Sequence, residues 1–306
     1  MINGVLIVDK PAGLTSHDVV NRVRRLAGTR RVGHTGTLDP MATGVLGLLL
    51  GPATRLSQFA TEGTKQYRAV LRFGQTTDTY DADGEIIAQQ PVEIDLRTIE
   101  SIPSRFEGTI LQVPPMYSAI KVHGTRLYER ARRGEEVERD PRLVTVYSLT
   151  ILDWVSPDLT FDVACSSGTY IRSLAHDIGQ ALGCGGHLRA LRRTASGPFT
   201  LEQSRSLDDL QHLQNTGRFG EALLPATAAL GSMPVMMLTP DQERAVRFGQ
   251  TIALTLSETA GLVQAQDSNG ELVAVLRHLV DHEYRPLVVL PPCTGCRTRP
   301  DESADG

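Results

Sequence analysis

Residues 4–8, Gly4-Val5-Leu6-Ile7-Val8, make an apolar run that meets Asp9 and Lys10 at once, the pattern of a buried strand. A helix is expected next: Ser16 stands at its cap, Val19, Val20, Val23 and Leu26 recur at helical spacing, and Gly28 stops it. Arg22 and Arg25 share its outer side. Over residues 66–73 the pattern changes to alternation, with Tyr67, Ala69, Leu71 and Phe73 on one face and Gln66, Arg68, Val70 and Arg72 on the other. Asp95 is placed to start a short helix, and residues 109–113 and 143–151 read as strands. Leu159, Phe161, Val163 and Cys165 alternate in a strand that runs into Gly168, and Leu174, Ile178, Ala181 and Leu182 mark the inward side of the helix after it. Ser206 and Asp209 form a capping box before another helix.

Beyond Gly231-Ser232-Met233-Pro234 the pattern becomes that of a compact β module with one helix, capped by Thr239, with Pro240 at its first position and Gly249 at its end. Asn269-Gly270, between residues 262–266 and 272–276, signals a hairpin. Strands interleaved with unequal helices and hairpins predict an α+β fold with a mixed sheet, not a doubly wound parallel one. The expected organisation is a main unit over 1–232, a module over 233–292 and a polar, acidic, disordered tail over 293–306. Within the main unit, a charged insertion is expected at about 115–142, with a short helical piece around Leu127–Arg132.

Composition narrows the class. The chain has 306 residues, 41% hydrophobic and 22% charged, an ordinary globular balance. Its four cysteines are too few for a disulfide scaffold and suit a reducing cytoplasm. The longest apolar candidate, Val45–Leu50, falls far short of the ~20 residues of a membrane helix, and the N-terminal strand lacks the basic start of a secretory signal. A cytoplasmic protein without membrane contact is expected. The net charge of −4 argues against a nucleic-acid partner until its distribution is seen. Residues 233–306 hold 6 basic and 10 acidic residues, whereas residues 1–232 hold 25 of each. There the cations cluster: Arg22, Arg24, Arg25, Arg30 and Arg31 have no acid between them. Only three of the 31 cations are lysines. Arginine's planar fork suits phosphate and base stacking, and a GC-rich genome gives the same ratio.

The densest segment is Gly33-His34-Thr35-Gly36-Thr37-Leu38-Asp39-Pro40-Met41-Ala42-Thr43-Gly44, which reads as a loop with fixed turns. It lacks the Gly-Lys-Ser/Thr ending of a phosphate-binding loop, and His34 and Asp39 have no third metal ligand nearby in sequence. Asp39 before Pro40 is either a turn residue or a catalytic carboxylate. Arg172 reads as a helix cation and Tyr67 as a core tyrosine. Cys293 and Cys296 supply two zinc ligands of the four a structural site needs, so no metal is expected.

The same segment resembles the motif of the TruB family of pseudouridine synthases. Four further stretches follow in the family's order: Asp9-Lys10-Pro11-Ala12-Gly13-Leu14-Thr15-Ser16; Lys65-Gln66-Tyr67; Pro114-Pro115-Met116-Tyr117-Ser118-Ala119-Ile120-Lys121; and Ser167-Gly168-Thr169-Tyr170-Ile171-Arg172 with Leu191-Arg192-Arg193-Thr194. The resemblance covers nearly the whole chain. It implies a pseudouridine synthase fold with an RNA-gripping insertion and a PUA-like C-terminal domain. It further implies isomerisation of the T-loop uridine of tRNA (position 55) to pseudouridine, with no cofactor, no metal and no obligate protein partner.

Residue by residue, the resemblance implies that Asp39 is the nucleophile, that Arg172 is its cationic partner and that Tyr67 stacks on the target base. Tyr170 and Leu191 are implied to line the base pocket and His34 to hold the flipped nucleotide. Lys10 is implied to lie near the site, in a hydrogen-bonding role or a catalytic one. The tRNA T-stem-loop is the implied partner. Three other readings stay open: an idle RNA-binding or tRNA-folding protein, a guide-RNA-dependent synthase subunit, and a glycoside hydrolase, which needs a second flanking carboxylate.

Overall fold

The computed structural model describes residues 2–118, 121–122, 125–127, 130, 133–135, 137–254 and 260–292. Its centre is a mixed sheet. Seven strands lie in the order Gly4–Lys10, Thr43–Leu50, Gly186–Ser196, Lys65–Phe73, Asp158–Cys165, Arg142–Val155 and Gly108–Gln112. Every pairing along this path is antiparallel except one: Arg192 and Arg193 pair in parallel with Thr43 and Gly44. Short strands Val32–His34 and Phe199–Thr200 pair with Thr43–Leu50 and Gly186–Ser196.

Alternation decides which face is covered. Tyr67, Ala69, Leu71 and Phe73 are buried with Leu159, Phe161, Val163 and Cys165 beneath the helices Ser16–Leu26 and Ile171–Ala181. The opposite face carries cross-strand ion pairs, Arg68–Asp162 and Arg72–Asp158. Thr43–Leu50 does not alternate, because it is buried on both faces.

The expected elements form, with local differences. The first helix is capped by Thr15, not Ser16: Thr15 and Asp18 complete a reciprocal capping box, and Ser16 turns inward to bond Leu38. On the helix Ile171–Ala181, Ala175 takes the inward position and Ala181 is exposed. The segment 33–44 is not loop throughout, since strands claim both its ends. Leu127 and Arg130 are helical; the rest of the expected Leu127–Arg132 piece lies outside the described residues, as does the tail from 293.

The C-terminal residues build a second, five-stranded sheet in the order Val235–Met237, Leu262–Gln266, Leu272–His278, Glu283–Val289 and Ile252–Ala253, with the capped helix Pro240–Arg247 against it. Leu272, Val275 and Leu290 share one buried cluster with Val5, Ile7, Val45 and Leu49 of the main sheet. Each fully buried aliphatic side chain there contributes about 1.5–3 kcal/mol, so the two sheets are held together by core and not by a tether.

Candidate active site

Asp39 sits in the turn between strands Val32–His34 and Thr43–Leu50, and buried side chains hold that turn from below. Ser16 Oγ donates to Leu38 O at 3.1 Å and accepts from Leu38 N–H at 2.8 Å. The Lys10 ammonium donates to Pro11 O, Pro40 O and Ala42 O at 2.9, 3.1 and 2.7 Å. Arg193 donates through Nε to Val45 O at 2.7 Å, through Nη1 to Thr37 O at 3.3 Å and through Nη2 to Gly36 O at 3.1 Å. Gly44, at φ 101°, lies so close to the Arg193 backbone that no Cβ fits.

Arg172 lies on the first turn of the helix Ile171–Ala181 and is 4% exposed. Its Nε stands 3.0 Å from Asp39 Oδ2, and its Nη2 donates to Asp39 Oδ1 at 3.1 Å. Nη2 also donates to Tyr117 O at 2.8 Å and Nη1 to Thr79 O at 3.1 Å. On its other side stands Asp81, with Oδ2 3.2 Å from Nη1. The guanidinium is thus shared between two carboxylates. Asp81 is nearly fully buried, while the Asp39 side chain keeps 32% of its surface open. Only Asp39 is available to a substrate.

Burial raises the Asp39 pKa above the usual carboxylate range; Arg172 pulls it back, Asp81 pushes it up and Lys10 pulls weakly down. Burial also lowers the Lys10 pKa to about 8, with Asp39 opposing.

Tyr67 is 8% exposed, on the strand position directly opposite Arg193. Burial raises its pKa and the Arg193 cation works against that rise; Asp39 is close enough to act on it as well. Tyr170 is half-buried at the N-cap of the Arg172 helix, and burial raises its pKa too. Leu191, 7% exposed, lines a groove of about 430 Å³ with Pro40, Met41 and Thr43. His34 is half-buried on its strand, with a buried Nδ1 that has no hydrogen-bond partner; burial lowers its pKa.

The structure brings Asp39, Arg172 and Tyr67 together, with Lys10 beneath Asp39. Lys10 is fully buried and spends its ammonium on backbone carbonyls. Two site residues escaped sequence reasoning. Asp81 lies in Thr77-Asp78-Thr79-Tyr80-Asp81-Ala82-Asp83-Gly84-Glu85, where four acids look alike; only folding selects the one that meets Arg172. Arg193 was legible as part of the Leu191-Arg192-Arg193-Thr194 stretch, not as a buried strut. Among the described residues no group of three or more His, Cys, Asp or Glu side chains is placed to hold a metal ion. Cys293 and Cys296 lie outside them.

Comparison with known proteins gives this arrangement its class. The N-terminal domain model of TruB family pseudouridylate synthases matches residues 24–171, and the tRNA pseudouridylate synthase B C-terminal domain model matches 172–230. tRNA pseudouridine synthase B of Syntrophotalea carbinolica is 47% identical over 249 residues, 81% of this chain and 81% of that protein. Its counterpart in Solibacter usitatus is 44% identical over 293 residues, 94% of this chain and 100% of that protein. Among solved structures, an H/ACA RNP bound to a substrate RNA containing 2′-deoxyuridine matches with TM-score 0.74 and 28% identity over 94% of this chain and 85% of that one. A Cbf5–Nop10–Gar1 complex matches with TM-score 0.71 and 30% identity over 91% and 79%.

Fold and relatives together define a pseudouridine synthase, an isomerase with a mixed central sheet and a C-terminal β half-barrel. The chain belongs to the TruB family of tRNA pseudouridine synthases.

Proposed function

We propose that the protein converts the T-loop uridine at position 55 of tRNA to pseudouridine, with Asp39 as nucleophile acting on a nucleotide flipped out of the RNA. The observation that carries this reading is the Asp39–Arg172 pair: a carboxylate with one open side, whose charged form is favoured, against burial, by a guanidinium otherwise engaged within the fold. An ionised carboxylate in that setting forms a covalent intermediate and so divides a difficult exchange into two easier steps. In the net reaction the N1–C1′ bond breaks and a C5–C1′ bond forms. N1 gains a proton and C5 loses one. Flipping costs a few kcal/mol. Stacking on Tyr67, at about 1–3 kcal/mol per base, offsets much of it, with Tyr170 and Leu191 as walls and His34 against the vacated position. Lys10 acts by fixing the turn that presents Asp39.

On this reading residues 1–232 form the catalytic unit, the 115–142 insertion grips the T-stem-loop, and 233–292 serve as a PUA-like RNA-binding domain. The reaction runs in the cytoplasm, and it needs no cofactor and no protein partner. A glycoside hydrolase reading has lost its geometry. The second carboxylate, Asp81, lies on the far side of Arg172, with its oxygens turned to Arg172, the Thr79 hydroxyl and the Asp83 N–H.

The test is to incubate the purified full chain with unmodified tRNA and nothing else, and to map pseudouridine by position. Conversion at the T-loop uridine alone is expected. An untouched tRNA, modified only when a guide RNA is supplied, would contradict the stand-alone reading.

A further inference from the structure

Three cations lie buried on strands of the central sheet: Lys10, Lys65 and Arg193, at 0%, 5% and 1% exposure. Among the described residues none of them makes a salt bridge; their hydrogen bonds go to backbone carbonyls or, for Lys65, to Ser196 Oγ at 2.9 Å. A buried charge without a counter-ion is retained only against a desolvation cost. Arg193 is the largest of the three and the only one that reaches more than one catalytic element. It sits on the central strand Gly186–Ser196, directly opposite Tyr67 on one side and beside Gly44 on the other. Its side chain crosses to the Asp39 turn, where Nη1 and Nη2 take the carbonyls of Thr37 and Gly36, two and three residues before the nucleophile. Its Nε takes Val45 O, on the strand that leaves the turn. The turn is thus gripped on both its limbs by one planar fork.

We propose that Arg193 is a positioning residue for the isomerisation: it locks the Asp39 turn and the Tyr67 strand into one rigid body, fixing the nucleophile against the aromatic ring on which the flipped base stacks. The inference rests on Asp39 being the nucleophile. Five donors spread over a fixed plane suit this task better than the three donors of a lysine, which radiate from a single atom. Gly44 belongs to the same device, because its bare Cα admits the Arg193 backbone. The charge has a second effect on Tyr67. The charged or titratable groups facing that hydroxyl are Arg193, Cys165 and Asp39, and of these Arg193 is the one that makes it a stronger acid.

Arg193→Lys and Arg193→Met in the full chain, beside wild type and Asp39→Asn, test this. Each is measured for affinity to unmodified tRNA and for single-turnover pseudouridine formation, at a temperature where circular dichroism shows it folded. Wild-type affinity within about threefold is expected in both Arg193 variants, with turnover slowed about a hundredfold in Met and less in Lys, the scale of a 1 Å misplacement. A folded Arg193→Met variant with the wild-type rate, or rate and affinity falling in parallel, overturns the proposal. Should Arg193→Met not fold, Arg193→Lys decides alone: slowed turnover at unchanged affinity supports the strut, and wild-type turnover removes it. The Asp39→Asn arm separates the two ideas, since turnover surviving there defeats the nucleophile reading whatever Arg193 does.

Discussion

Gln112 holds Tyr170 by both sides of its backbone. Its amide donates to Tyr170 O at 3.0 Å, and its Oε1 accepts from Tyr170 N–H at 2.8 Å. Gln112 ends the edge strand of the sheet and is 1% exposed, so the sheet edge sets both the start of the Arg172 helix and the place of the Tyr170 ring. Gln112→Leu leaves the Tyr170 N–H without a partner, while Tyr170 O keeps the Leu174 N–H at 3.0 Å. Unfolding in urea is expected to show a loss of about 1–3 kcal/mol, and tRNA affinity is expected to fall with it. Unchanged stability and affinity would show that the helix start needs no such clamp.

Arg172 and Asp81 move the Asp39 pKa in opposite directions. Asp81 raises it and Arg172 lowers it. On the proposed mechanism activity requires the ionised carboxylate, so the acid limb of the pH–rate profile is expected above the ordinary carboxylate range in the wild type. Asp81→Asn is expected to move that limb to lower pH and Arg172→Met to move it higher, both with reduced plateau rates. Shifts of the same sign in the two variants would contradict the shared guanidinium.

The same pKa bears on stability. Because the folded-state value is raised above the unfolded one, the folded protein binds the Asp39 proton more tightly. The stability from this group is complete below the unfolded pKa and is lost as pH rises through the folded one. Ionising Asp39 in the folded protein is therefore a net cost. Asp39→Asn is therefore expected to have a urea midpoint at pH 7 no lower than wild type, with the difference closing towards pH 4 (about the unfolded carboxyl value). A clear loss of stability at pH 7 would contradict it.

The arginines of the Arg22–Arg31 cluster and those of the insertion differ in what they offer RNA. Arg22, Arg25, Arg30 and Arg31 are exposed, and among the described residues none has a carboxylate within salt-bridge distance. Arg130 and Arg133, in the insertion, share Glu135 at 2.8 Å each. Replacing Arg30 and Arg31 by Ala is expected to lower the slope of log affinity against log salt by about 0.7–0.9 for each phosphate that the arginines had neutralised. Arg130→Ala, whose cation already shares the Glu135 carboxylate with Arg133, is expected to change it less. Equal slopes in all variants would place these arginines off the RNA.

Much of this was legible in the sequence, for physical reasons. Strands that alternate, Lys65–Phe73 and Asp158–Cys165, announce themselves, as do capped helices such as Leu207–Asn215 and Pro240–Arg247. The central strand Gly186–Ser196 does not. Its Arg189, Arg192 and Arg193 break the apolar pattern, and the most buried of them pays for burial with backbone carbonyls far away in sequence. Asp39 and Arg172 were readable only through the family motif, because a pair 133 residues apart leaves no local trace. Asp81 had no signal at all beyond its acidic loop. The partner of that loop is set by tertiary geometry: Tyr80, left-handed at φ 63°, stacks on His176 of the Arg172 helix with ring centroids 3.9 Å apart.

The central claim is that the Asp39 carboxylate performs the chemistry. Release of tritium from tRNA labelled at uracil C5 tests it most directly, in wild type and Asp39→Asn at equal tRNA binding. The wild type should release one label per target uridine and the Asn variant none. Release by the Asn variant at the wild-type rate would contradict the claim.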